Sequence, residues 1–292
     1  MSEKFRILLP LDGSELAESV YPWARLLHAA MPDVEIELLR CYEPPSTVYL
    51  IPELAVPATS MFNEGDLHTA LQEYLRRQVE ALGLPGTTSS VAVGDPATQI
   101  IERGESANMV LMASHGRGGL GRWLMGSVAT KVTRGATVPV LIVNARQMAS
   151  RQIAAPPCME TLMVAYDGSP AAERAVFRAA SLARGFGATL HIYEGLSQVA
   201  MPHQVVIEAN QQNLLKATER VRNLAQTLPG VKTQVEVREV GVSTGIVEYA
   251  NEIKADLLVI GSHGKSGLER WMIGSETEAV LQEASCPVLV TH

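Results

Sequence analysis

Two stretches of the chain carry residue types suited to holding an anion, and they occur as a matched pair. Residues 114–127 read SHGRGGLGRWLMGS and residues 262–275 read SHGKSGLERWMIGS. In the second copy Gly261, Gly264, Gly274 and Ser275 stand as G-x2-G-x9-G-S. In the first, Ala113 takes the place of the leading glycine, followed by Gly116, Gly126 and Ser127. Glycines let backbone N–H groups come close to a phosphate with no Cβ in the way. A helix that begins at the last glycine adds free N–H groups and the positive end of its dipole. Arg117 and Lys265 share one basic position, which fits either a phosphate contact or a solvated charge. The glycine spacing also fits a tight strand-to-helix turn with Ser275 as a helix cap.

A second repeated element is Asp-Gly-Ser, at residues 12–14 and 167–169, each directly after an apolar run. Asp12 and Asp167 each precede a helical stretch by about one turn. A ligand contact and a helix N-cap are both open there, and one carboxylate can serve both.

Other chemistries fail on context. Gly116 to Gly121 spells G-x-G-x-x-G, but it follows the fourth strand with no acid about 20 residues on, unlike a dinucleotide fingerprint. There is no GxxxxGK[ST]. Ser114-His115 and Ser262-His263 lack a G-x-S-x-G elbow, and adjacent residues in a turn read as loop hydrogen bonding. The remaining histidines show no metal spacing. Trp123 and Trp271 read as packing or inter-domain contacts.

These residues need elements to position them. In each repeat, apolar β-rich runs alternate with amphipathic helical stretches. The strands of the first repeat are read at Phe5–Leu11, Val34–Cys41, Ser89–Val93, Met109–Ala113 and Val138–Val143. Those of the second lie at Thr161–Tyr166, Thr189–Tyr193, Thr233–Val240, Leu257–Gly261 and Pro287–Thr291. Continuous apolar strands imply a parallel sheet covered on both faces. Leu16, Val20, Trp23, Ala24 and Leu27 form one helical stripe, and Leu214, Ala217, Val221, Leu224 and Ala225 another. The alternation gives an α/β doubly wound fold. Ligands in such sheets sit beyond the C-terminal strand ends, where both repeated motifs fall. The stretch from Asn144 to Cys158 reads as a linker. The apolar, proline-rich segment Pro44–Phe62 reads as a lid or interface, or as a loop folded on its own domain.

The pattern G-x2-G-x9-G-[ST], the Asp-Gly-Ser after strand 1 and the closing Pro-Val-Leu strand resemble the universal stress protein family in both repeats. The resemblance implies two similar doubly wound domains, residues 1–147 and 158–292. Each would be a five-stranded parallel sheet, order 3-2-1-4-5, flanked by about four helices. It implies ATP or a related adenine nucleotide as ligand, with Mg2+ as an optional companion. It also implies that the Asp after strand 1 and the backbone after strand 2 flank the adenosine. The matching positions are Ala165, Asp167 and Ile192 in repeat 2, and Pro10, Asp12 and Cys41 in repeat 1. Association through the last strand is implied too, as a pseudo-dimer of the repeats and beyond that a homodimer, with stress-linked regulation through an unidentified protein partner.

Net charge −7 over 292 residues argues against a nucleic-acid grip. No apolar run reaches membrane-spanning length. Three cysteines, Cys41, Cys158 and Cys286, fit neither a disulfide framework nor a zinc site, which points to a reducing cytoplasm. With no general base identifiable beside the phosphate loop, a regulatory binding protein is expected rather than a committed enzyme. A slow ATPase or phosphotransferase and a nucleotide-free scaffold are the alternatives. Two superimposable halves with separate sheets are expected, their last strands side by side. Repeat 2, with all its glycines, is expected to bind nucleotide more readily than repeat 1, where Ala113 would crowd the ribose. Glu276 opposes that order, because its charge would repel phosphates.

Overall fold

The computed structural model describes residues 4–31, 33–43, 64–114, 125–144, 159–197, 204–263 and 273–292. The linker, the Pro44–Phe62 segment, both tryptophans of the repeated motif, and Gly116, Arg117, Gly264 and Lys265 lie outside those residues. The first half runs β1 (Arg6–Leu11), α1 (Glu15–Glu18), α2 (Tyr21–Ala30), β2 (Glu35–Tyr42), α3 (Glu64–Leu82), β3 (Thr88–Val93), α4 (Pro96–Gly104), β4 (Met109–Ser114), α5 (Ser127–Gly135) and β5 (Val140–Asn144). The second runs β6 (Thr161–Ala165), α6 (Pro170–Phe186), β7 (Thr189–Gly195), α7 (Gln204–Gln226), β8 (Lys232–Arg238), α8 (Val242–Glu252), β9 (Leu257–Gly261), α9 (Ser275–Glu283) and β10 (Val288–Thr291).

Within each half every strand pair is parallel, and the order is the expected 3-2-1-4-5. The expectation of separate sheets is overturned. β5 and β10 pair antiparallel, Leu141 opposite Leu289 and Ile142 opposite Val288, so ten strands form one sheet. The physical reason is the apolar edge. An unpaired edge strand leaves a row of N–H and C=O groups open, and pairing the last strands side by side removes both edges at once. All residues of β5 and β10 are buried. Above the join, Arg134 of α5 donates to both carboxylate oxygens of Glu278 on α9, at 3.1 and 3.2 Å.

Side chains alternate across the strands and build two cores. One lies under α1, α2, α3, α6 and α7, and includes Leu9, Leu38, Leu111, Ile192 and Leu289. The other lies under α4, α5, α8 and α9, and includes Leu8, Leu39, Tyr193, Ile260 and Val290. The first helical stripe is split between α1 and α2. Pro22 in the first turn of α2 has no N–H to donate back to the preceding turn, so the helix restarts there. Among the described residues no helix is long and apolar enough to cross a membrane.

Because β5 and β10 run oppositely, the C-terminal strand ends of the two halves face opposite edges of the sheet. β4 and β9, at whose ends the two repeated motifs begin, therefore end at opposite ends of the strand direction.

Candidate functional site

In the first half, β1, β2 and β4 end around a cavity of about 200 Å3. Pro10, Asp12, Cys41, Ala113, Gly126 and Ser127 all line it. Every described candidate of this repeat is thus brought to one place. Asp12 is not the helix cap. Ser14 caps α1 by accepting from Ala17 N, while Asp12 accepts from the Ser14 amide at 2.9 Å and from its hydroxyl at 2.5 Å. The second half repeats the device: Ser169 caps α6, and Asp167 accepts from the Ser169 amide at 2.9 Å. The aspartates stand two residues ahead of their caps, where they order the loop, and each lines its cavity.

Burial pushes Asp12 up, but the Ser14 hydrogen bonds and the Arg40 guanidinium outweigh it, and the carboxyl sits below its ordinary value. Arg40 also lines the cavity. Burial pushes the Cys41 thiol up to about 11, so it stays protonated and acts as a small apolar wall. On the far side, α5 begins at Gly126 with no side-chain cap. Its first-turn N–H groups have no partner within the helix. Ser127 is exposed beside them.

The second half is built differently. Ala165, Asp167 and Gly261 line a cavity of about 90 Å3, but Ile192, Gly274 and Ser275 do not. Ile192 belongs to the core on the opposite face. The ladders show why. Pro10 pairs with Leu39, whereas Ala165 pairs with Tyr193. The counterpart of Cys41 is therefore Gly195, and that of Ile192 is Leu38. Matching Tyr42 to Tyr193 by type slips the strands by three residues, and an odd slip turns a side chain to the other face.

Tyr193 takes the place of Leu39 and is fully buried, stacked on Tyr249 with centroids 5.2 Å apart. Gly245 makes room for it, since a Cβ there would overlap the Tyr193 hydroxyl. Where the first half has Arg40, the next ladder position here carries Glu194, buried and ion-paired to Arg220. Across the mouth the Glu276 carboxylate accepts from the Ser243 amide at 2.8 Å. Gly261 is also needed by the chain itself: a Cβ would meet the His263 carbonyl at 3.3 Å. Gly274, not Ser275, is the N-cap position of α9. Ser262 and His263 share a hydrogen bond of 3.0 Å.

The first-half cavity is the larger of the two, although the glycine count favours the second. The sequence reading missed Leu39, Arg40, Ile100 and Met112 in the first cavity, and Tyr193, Gly195 and Val242 in the second. The loops after β3 and β8, Gly94-Asp95-Pro96 and Gly241-Val242, could have been found, because strand C-terminal ends are where such sheets bind.

A sequence profile described as the universal stress protein family matches residues 5–144 and again 159–292. A universal stress protein of Mycolicibacterium smegmatis is 27% identical over 99% of this chain and 97% of its own length. Universal stress protein Rv2005c of Mycobacterium tuberculosis is 26% identical over 98% and 96%. The crystal structure of a universal stress protein from Archaeoglobus fulgidus superimposes with a TM-score of 0.71 at 22% identity, covering 98% of this chain and 97% of that one. With the profile matched once in each half, the chain belongs to the universal stress protein family and carries two of its domains in tandem.

Proposed function

We propose that the chain is a stress-linked regulatory protein that binds an adenine nucleotide, ATP or a close relative, and that the first half holds the principal site. One observation carries this reading: all six described candidates of the first repeat line a single cavity whose far wall is an uncapped helix N-terminus. Asp12 suits the hydroxyls of a sugar. The α5 N–H groups, Ser127 and the positive charge of Arg40 suit phosphates. The cavity is smaller than the roughly 300–1,000 Å3 of a drug-sized site, so it takes the nucleoside and leaves the phosphates at its mouth. The family and the motif point to the same ligand class.

Binding rather than turnover is supported by the lining. Its ionisable groups among the described residues are Asp12, held low, Arg40, and Cys41, held protonated. Neither Asp12 nor Cys41 titrates near neutrality as a general base should.

Calorimetric titration with ATP, with and without magnesium, tests the reading. Gly126→Val is expected to abolish the main binding event and Gly274→Val to leave it. Arg40→Gln should weaken ATP by about tenfold, a loss of 1.4 kcal/mol, with adenosine little changed. If neither glycine variant alters the isotherm, the glycine loops are structural turns and the scaffold alternative stands.

A further inference from the structure

A cavity of about 340 Å3, larger than either strand-end cavity, lies where the two halves meet, on the α2 and α6 side of the sheet. It exists only because the halves are joined. Met31 and Met109 wall it from the first half, and Leu182, Phe186 and Leu289 from the second. None of the described lining residues is a carboxylate. The polar side chains in the wall are Ser181 and Arg178, one helical turn apart on α6. Arg178 makes no hydrogen bond or ion pair among the described residues, whereas Arg103 pairs with Glu37 and Arg220 with Glu194.

We infer that this inter-half cavity binds a small amphiphilic carboxylate, its chain among the methionines and Phe186 and its headgroup on Arg178. The apolar wall with one convergent cation is the composition of a ligand pocket, and its volume falls in the range of such pockets. At roughly 30 Å3 per water-sized group, it takes about eleven groups, the size of an unbranched acyl chain of about ten carbons. A single guanidinium matches a planar monoanion in a bidentate fork. Methionines adapt to a flexible chain. Burial also lowers the Arg178 pKa, a cost of desolvation that a bound anion would relieve. A ligand here touches both halves at once, and neither strand-end cavity.

The test is calorimetric titration of the full chain with sodium decanoate below its micelle concentration, beside decyltrimethylammonium as the same chain with the opposite charge. Decanoate is expected to bind one per chain and the cation not to. Arg178→Gln should weaken decanoate by about tenfold or more. Gly185→Leu should abolish it by filling the cavity. A Cβ at Gly185 meets nothing within 4 Å, so that variant is expected to fold. Both variants should keep the wild-type ATP isotherm, which separates failure here from failure of the nucleotide reading. The inference is overturned if decanoate does not bind, if the cation binds as well, or if Arg178→Gln binds as wild type. It is equally overturned if Gly126→Val rather than Gly185→Leu removes decanoate, or if sedimentation shows a second copy of the chain covering the cavity.

Discussion

The Glu276 carboxylate, on the first turn of α9, accepts its hydrogen bond from the Ser243 amide on the first turn of α8. Gly241, the N-cap of α8, has no side chain to offer, so one helix supplies the anion for the N-terminus of its neighbour. In the first half Asp95 does this job within its own helix, accepting from Thr98, and the cavity mouth carries Val128 instead of an acid. The second cavity is therefore closed by a carboxylate that also stabilises the fold.

Glu276→Val is expected to separate the two roles. Loss of the cap should cost about 1 kcal/mol, read as a lower urea midpoint. Removal of an exposed like charge of about 1 kcal/mol should raise ATP affinity at the second site several-fold. A variant that loses stability and gains no second binding event would show that Glu276 does not close the site.

Tyr193 makes a prediction of unusual sign. Among the described residues its hydroxyl is buried with no hydrogen-bond partner, and an unsatisfied buried polar group costs stability. Tyr193→Phe should therefore stabilise the chain by roughly 1 kcal/mol, measured by urea unfolding, whereas loss of a buried tyrosine hydroxyl ordinarily destabilises. A lower midpoint would mean that the hydroxyl has a partner after all.

The two motif glycines should behave differently in the ligand-free chain. A Cβ at Gly261 would stand 3.3 Å from the His263 carbonyl, a backbone atom that cannot swing aside. Gly261→Ala is expected to cost about 1–3 kcal/mol, as overpacking does. At Gly274 the nearest atom to a Cβ is 3.7 Å away, in ordinary contact, and its φ of −61° suits any residue. Gly274→Ala should lower the thermal midpoint only slightly, by the preference for glycine over alanine at an N-cap. Equal losses in the two variants would assign both glycines to the turn.

The strands were legible because their signal is local: Leu257–Gly261 is a run of buried apolar residues, and it is a strand with those bounds; their order came only with the family resemblance. That β5 and β10 lie side by side was legible from two apolar edges that need covering, but their joining of the halves into one sheet was not. What stayed hidden is set by long-range register. Cys41 and Ile192 look alike along the chain, each followed by tyrosine, yet only the ladder shows that Gly195 occupies the position of Cys41. Asp12 and Asp167 have the residue type of a cap, but the helix start fell two residues later, where Ser14 and Ser169 were better placed. The closing of the second cavity by Tyr193, and the cavity between the halves, come from side chains far apart in the chain, and no motif spells them.

Acid should weaken the fold through His292, which directly follows the last strand. Burial lowers its pKa to about 4, with the nearby His263 and Arg178 adding to the effect. Burial also lowers His191, whose Nδ1 is hydrogen-bonded to the Tyr249 hydroxyl at 2.9 Å. Both imidazoles are therefore neutral in the folded chain at pH values where the unfolded chain, with its ordinary value of 6.5, binds protons. The unfolded state holds more protons between pH 6.5 and about 4, so stability is full above 6.5 and is lost as the pH falls through that window. At 1.36 kcal/mol per unit, His292 alone is worth at most roughly 3 kcal/mol across it. Asp12 is held low as well, but its contribution is lost only below the ordinary aspartate value of 3.8, outside this range. Urea midpoints measured from pH 7.5 to 4.5 should fall steadily in the wild type. His292→Gln, which cannot take up a proton, should flatten the slope while costing little at pH 7.5. An unchanged slope in that variant would place the acid sensitivity elsewhere.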